Sequence, residues 1–173
     1  MEERPEKKKW SLKAILKEFV WMAVLIFVMA NVISYLKKPD IQSEQLPQIN
    51  ERLIDGKVFS TDALEGKPLL VHFWATWCPT CKAEAGNIEA LSKHFDVLSI
   101  AVKSGSEADL RTYMNERELT FNVLNDTQRT YADAFAVGAF PTTYIFDGNG
   151  KLVFTEVGYT STIGLYLRMW WAK

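Results

Sequence analysis

Only two cysteines occur in these 173 residues, and they stand as Cys78-Pro79-Thr80-Cys81 directly behind the aromatic-rich stretch Phe73-Trp74-Ala75-Thr76-Trp77. That spacing allows the two thiols to close a small, easily reopened disulfide. It also constrains the local fold, because it needs a strand ending just before Cys78 and a helix starting just after it. The sequence supplies both: Pro68 to Trp74 reads as an apolar strand and Pro79 to Phe95 as a helix. Pro79 suits the first helical turn, where its missing N–H costs nothing. A sulfur at a helix start meets unpaired backbone N–H groups and the positive end of the helix dipole, both of which favour its ionised form. Cys78 is therefore the expected attacking sulfur, and Cys81, one turn further and more buried, the resolving one. No cysteine remains for a structural bridge or a four-cysteine metal site. A static disulfide is the alternative for the same pair.

The rest of the chain alternates strands with helices. Leu53 to Ser60 reads as a short strand or hairpin around Asp55-Gly56, and Val97 to Lys103 as a second buried strand. Ser106, followed three residues on by Asp109, marks a capped helix running to Leu119. Phe121 to Leu124 is strand-like and Thr127 to Ala136 helical. Thr142 to Asp147 and Lys151 to Val157 are strands joined by the turn Asp147-Gly148-Asn149-Gly150, and Ser161 to Trp171 closes the chain as a helix. This order predicts an α/β fold, a central mixed sheet with helices on both faces. Phe95, Leu98, Ile100, Phe121, Tyr131, Phe135 and Ile145 are its expected core.

Charge divides the chain. Residues 1–38 hold eight Lys/Arg and four Asp/Glu, and the remainder twelve and seventeen. An acidic outer domain argues against nucleic acid as partner, because phosphate binding needs a basic face. Phe19 to Leu36 is broken only by Asn31 and Ser34, and as a helix is about 27 Å long, near the thickness of a bilayer core. Six basic residues precede it closely, whereas only Lys37 and Lys38 follow. The expected organisation is a cytoplasmic basic segment (1–18), one transmembrane helix (19–36), a linker (37–50) and a catalytic domain (51–173) on the far side of the inner membrane. Trp21 and Tyr35 suit the two interfaces. A signal peptide cleaved after Ala30, or a buried soluble helix, are the alternatives for this run.

FWATWCPTCKAE and VGAFPTTYIFDGNGKL resemble the active-site and cis-proline segments of the thioredoxin superfamily, specifically its TlpA-like membrane-tethered class. The resemblance spans roughly residues 45–173, including the extra strand–helix unit at 121–136. Val157 to Trp171 is similar to the suppressor-of-copper-sensitivity D proteins. The resemblance implies a thioredoxin-like fold and thiol–disulfide exchange with protein substrates in the periplasm. Electrons are often received from a membrane-embedded reductase. It also implies a cis Phe140–Pro141 bond, which turns the Phe140 backbone towards the cysteines; an ordinary trans proline at a strand edge is the alternative.

By the same resemblance Trp77, Pro79, Thr80, Phe140, Pro141 and Thr142 line the substrate groove. Glu84 stands at the position of the class's active-site glutamate. A carboxylate one turn beyond Cys81 is suited to accept its proton, with a solvated helix residue as the alternative. His72 occupies the place of thioredoxin's buried aspartate and commonly of an asparagine in this class. An imidazole there is suited to proton relay at neutral pH, and a satisfied buried histidine is the alternative. His94 reads as a favourable charge late in its helix. Gly86 stands where a helix-kinking proline is usual, and bulky Phe140 precedes the cis proline; both depart from the family pattern. Trp74 is expected in the core and Trp77 at the rim.

The function these features imply is protein disulfide oxidoreduction, the reducing direction being favoured by resemblance. No cofactor beyond the Cys78–Cys81 pair and no metal are expected. The rival readings are Cu(I) binding through the same thiols and a peroxiredoxin-like antioxidant. The second lacks its usual Pro-x-x-x-Thr-x-x-Cys pattern.

Overall fold

The computed structural model describes residues 16–22, 24–26, 28–29, 44–64 and 66–173. The chain divides into two units, Met1–Leu36 and Lys37–Lys173. In the first, the described residues between 16 and 29 are helical. Leu16, Phe19, Val20, Trp21, Met22, Val24, Leu25, Ile26, Val28 and Met29 are all exposed there, between 46% and 65%. Among the described residues no helix is long and apolar enough to cross a membrane. Residues 30–36 of the expected span, 1–15 of the basic segment and 37–43 of the linker lie outside the described residues.

In the second unit the described residues form seven strands and four α-helices. They are β1 (Asn50–Arg52), β2 (Val58–Ser60), β3 (Leu69–Trp74), α1 (Pro79–Ser92), β4 (Asp96–Val102), α2 (Glu107–Glu116), β5 (Asn122–Asp126), α3 (Thr130–Ala134), β6 (Thr142–Phe146), β7 (Leu152–Val157) and α4 (Thr162–Trp171). A 3-10 turn at Thr61–Leu64 was not expected from the sequence. The main sheet runs β5-β4-β3-β6-β7, and β1 pairs with β2 as a separate antiparallel hairpin. β3, β4 and β5 are parallel, whereas β6 and β7 are antiparallel to their neighbours. The sheet is thus mixed, as the strand–helix order followed by a terminal hairpin predicts.

β3 lies at the centre, and all six of its residues are buried. Its alternating side chains feed two cores. Leu70 and Trp74 face Cys81, Ile88 and Leu91 of α1, Leu110 and Met114 of α2, and Leu165 and Met169 of α4. Leu69, Val71 and Phe73 face Ala132 and Phe135, together with Tyr144 and Phe146. Phe73 packs on Phe135 at 5.1 Å and edge-on to Tyr144 at 5.8 Å. Phe73→Ala is expected to destabilise the domain by about 3–5 kcal/mol, read by urea unfolding, because the Phe135 and Tyr144 rings packed on it cannot collapse into the void.

Two boundaries differ from expectation for physical reasons. Residues 44–49, within the stretch expected as linker, pack on the domain: Leu46 N–H donates to Gly150 O (2.7 Å), and Ile49 is buried in the core. Apolar Leu46 and Ile49 draw this strand of chain onto the domain. α3 is shorter than the expected 127–136 because Arg129 sits in the left-handed region, at φ 64°, and Asp126 takes the Ala132 N–H in its carboxylate (2.9 Å). The capping box of α2 forms as read, Ser106 and Asp109 each accepting the other's backbone N–H. In the β6–β7 turn Asp147 Oδ1 accepts from Asn149 and Lys151, and a side chain at Gly148 would run into the Gly66 carbonyl.

Candidate active site

β3 ends at Trp74, and a short turn (Cys78 N–H to Ala75 O, 3.2 Å) delivers Cys78 to the N-cap of α1. Here the side chain itself is the cap: Cys78 Sγ accepts the Cys81 backbone N–H at 3.2 Å. A sulfur so placed takes up a donor that the helix leaves unpaired, and it lies where the dipole favours negative charge. Both cysteines are free thiols and both are buried, Cys81 more deeply. α1 runs unbroken through Gly86.

The opposite wall is the loop before β6. The Phe140–Pro141 bond is cis, and Phe140 O accepts from the Cys78 thiol at 3.7 Å. The Phe140 ring stands edge-on to Trp77 at 5.7 Å, with the Arg129 guanidinium 6.0 Å from its centre. Trp77 is 58% exposed, whereas Trp74 is buried with its indole N–H donated to Ser99 (3.1 Å). Trp77 donates to the Lys103 carbonyl (3.2 Å), which fixes the ring as a rim beside the sulfur. Pro79 and Thr80 are exposed next to it. Pro141 and Thr142 are buried, and the Thr142 hydroxyl is spent on Ala139 O (2.8 Å). Trp77, Pro79, Thr80 and Phe140 thus form an accessible ledge around Cys78. It is an apolar, open surface suited to an extended polypeptide.

Behind the sulfurs the chemistry changes. Cys81, Glu84, Ile88 and Leu91 are the buried stripe of α1, so Glu84 puts a carboxyl where an apolar residue would be ordinary. It is not a solvated helix residue: its exposure is 0%. Its Oε1 accepts the Thr160 backbone N–H at 2.8 Å, while its Oε2 is buried with no partner. Burial pushes its pKa from 4.5 up to about 7, the Thr160 bond opposing and the Glu156 charge adding slightly. The Cys81 thiol is pushed far up, first by burial, then by the Cys78 hydrogen bond, with the Cys78 and Glu84 charges adding. A protonated thiol and a neighbouring carboxyl with a spare oxygen, poised near neutrality, are an acid–base pair.

His72 projects from β3 between Leu70 and Trp74, towards the same core as the cysteines. It is buried, and Nδ1 shares a hydrogen bond with Thr143 Oγ1 (2.9 Å). Burial lowers its pKa from 6.5 to about 3, so the ring is neutral at physiological pH. His94 follows the α1 C-cap and packs on Tyr166 at 5.6 Å.

Two neighbours escaped the sequence reading. Thr160 reaches Glu84 through its backbone, which no side-chain pattern reveals. Tyr113 of α2 lies 5.4 Å from Trp74 and keeps its hydroxyl buried without a partner. Burial raises its pKa, and the charges of both cysteines add to the rise, so it stands near the sulfurs. Its helical spacing with Leu110 and Met114 was the available signal. Among the described residues no group of three or more His, Cys, Asp or Glu is arranged to hold a metal ion.

The chain is similar to known proteins in sequence and in fold. A thioredoxin-like protein of Haemophilus influenzae is 29% identical over 164 residues, covering 94% of this chain and 97% of its own. A thiol:disulfide interchange protein DsbE homolog of Paracoccus denitrificans is 33% identical over 117 residues, 66% of this chain and 65% of its own. Among solved structures, a thiol:disulfide interchange protein of the thioredoxin family from Chlorobium tepidum superposes with a TM-score of 0.67 at 26% identity, covering 77% of this chain and 98% of that one. The AhpC/TSA family model matches residues 42–155, a span that holds the cysteine pair, Glu84 and the cis proline. On that match and on the fold just described, the chain belongs to the AhpC/TSA family, with a thioredoxin-like fold.

Proposed function

We propose that this chain is a thiol–disulfide oxidoreductase, held at the inner membrane by residues 19–36, with its domain in the periplasm and its pair reducing protein disulfides. The observation that carries the reading is Cys78 Sγ. It caps α1 through the Cys81 N–H and faces the Phe140 carbonyl beside the exposed Trp77. Relatives bearing thiol-disulfide oxidoreductase and thiol:disulfide interchange names support it.

In the reducing direction the Cys78 thiolate attacks one sulfur of a substrate disulfide, and the other sulfur leaves as a thiolate. Glu84 then takes the Cys81 proton, and Cys81 attacks Cys78 Sγ. The substrate departs with both sulfurs reduced, and the Cys78–Cys81 disulfide holds the two electrons' worth of oxidation. The pair itself carries the electrons, so no cofactor is invoked. A membrane-embedded reductase is the proposed donor that reopens the disulfide. The exposed apolar side chains among the described residues 19–29 support the anchor, because a helix stretch apolar all round belongs in lipid or in a core. The resemblance of Val157 to Trp171 to suppressor-of-copper-sensitivity D proteins supports a relation to that branch.

The test is insulin reduction by the full chain with dithiothreitol as donor, beside the copper content of the same reduced protein. Faster precipitation of the insulin B chain without bound copper is expected. One copper per chain with no acceleration overturns the reading. In intact cells, tagging of Cys78 by a membrane-impermeant maleimide is expected; tagging only after lysis overturns the topology.

A further inference from the structure

The outward face of α4 takes no part in exchange. Leu165, Met169 and Ala172 point into the core, while Ile163, Leu167, Trp170 and Trp171 recur at helical spacing on the other side and stand 62–77% exposed. A helix apolar on both faces calls for a second apolar environment.

The tether says which one. Glu44 O accepts from Leu152 N–H, Gln45 Nε2 donates to Asn149 O, and Leu46 N–H donates to Gly150 O, at 2.7, 2.8 and 2.7 Å. Asn149 lines, with Asp147, Gly148, Val153, Trp171 and Lys173, a hollow of about 440 Å³. The chain therefore leaves the domain beside the tryptophan end of α4. Seven residues, 37–43, separate that point from the proposed anchor, and fully extended they reach at most about 25 Å. This step rests on the anchor reading above. A tether so short holds the stripe at high effective concentration against the bilayer.

The chemistry agrees. Adjacent Trp170 and Trp171, followed by Lys173, carry the apolar rings with polar edges that settle at the boundary between headgroups and acyl chains. Residues 39–173 are net acidic, so the rings rather than the charge must provide the hold.

We propose that the Ile163–Leu167–Trp170–Trp171 face of α4 seats on the bilayer surface next to the chain's own anchor. The seat also fixes the direction of α1 relative to the bilayer. Thr160, just before α4, meets Glu84 and Asn87, and Tyr166 packs on His94 and Phe95 beyond the end of α1. The two helices therefore run side by side in one direction. The tryptophan end is level with the far end of α1, about 21 Å from Cys78.

The test uses the full chain, labelled with fluorotryptophan, in nanodiscs holding one copy and lipids spin-labelled at the headgroup. Signals are assigned by Trp→Phe variants. The Trp170 and Trp171 signals are expected to lose most of their intensity while Trp74 and Trp77 keep theirs, and Leu167→Glu is expected to restore the first two. Trp170 and Trp171 signals as sharp as that of Trp77 overturn the proposal. So does a change seen only in discs loaded with two copies and no spin label, which assigns the face to self-association. Trp21 reports on the anchor separately: an unaffected Trp21 signal beside broadened Trp170 and Trp171 sinks the anchor and keeps the surface.

Discussion

Cys78→Ser is expected to reduce insulin-reducing activity to the background of dithiothreitol alone, whereas Cys81→Ser is expected to accumulate protein joined to its substrates. The asymmetry follows from where the two sulfurs sit. Cys78 caps α1, accepts a backbone N–H, and opens onto the ledge of Trp77, Thr80 and Phe140. Cys81 is turned inward, its thiol held protonated by burial. Without Cys78 no sulfur reaches a substrate. Without Cys81 the first attack proceeds and the mixed disulfide has nothing to resolve it. The insulin assay reads the first outcome, and non-reducing electrophoresis of cell extracts reads trapping by either variant. Equal trapping by the two variants contradicts the assignment of roles.

Glu84→Gln is expected to slow the second step, release of the mixed disulfide, by about a hundredfold, the lower range for loss of a general base. Formation of the mixed disulfide is expected to be unchanged. In the natural chain release is expected to accelerate as pH rises through about 7, where the Glu84 carboxyl loses its proton and becomes able to take that of Cys81. The variant is expected to lose that inflection. Stability gives a second readout with its own sign. A carboxyl raised from 4.5 to about 7 by folding favours the folded state most below pH 4.5 and loses that contribution as pH rises through 7. The natural chain is therefore expected to lose on the order of 3 kcal/mol relative to Glu84→Gln between pH 4 and pH 8. Urea unfolding at the two values measures it. Parallel stability curves combined with an unshifted rate profile contradict the role given to Glu84.

The mixed sheet was legible because its strands and helices carry local signals: the continuous apolar run of Leu69–Trp74, the Ser106/Asp109 cap, the Asp147-Gly148-Asn149-Gly150 turn. The placement of the two sulfurs was legible for the same reason, since a strand–cysteine–proline–helix sequence fixes Cys78 at a helix start. Glu84 was half legible. Its spacing with Cys81, Ile88 and Leu91 puts it on one helical stripe, but whether that stripe faces water is decided by the start of α4, 76 residues away. The hydrogen bond between His72 and Thr143 depends on the antiparallel register of β3 with β6, and Tyr113 depends on how α2 leans on Trp74. Long-range register and helix packing leave no mark in a local window. The inward start at Glu44 was hidden by polar neighbours that read as linker, although Leu46 and Ile49 were the clue.

The central claim is that Cys78 and Cys81 interconvert as a pair between dithiol and disulfide. The direct measurement equilibrates the full chain in glutathione buffers of graded ratio, alkylates the remaining thiols and weighs the intact protein. The account predicts a single two-electron transition in which both thiols disappear together. A stable glutathione adduct on one cysteine with the other still free, or two free thiols at every ratio, contradicts it.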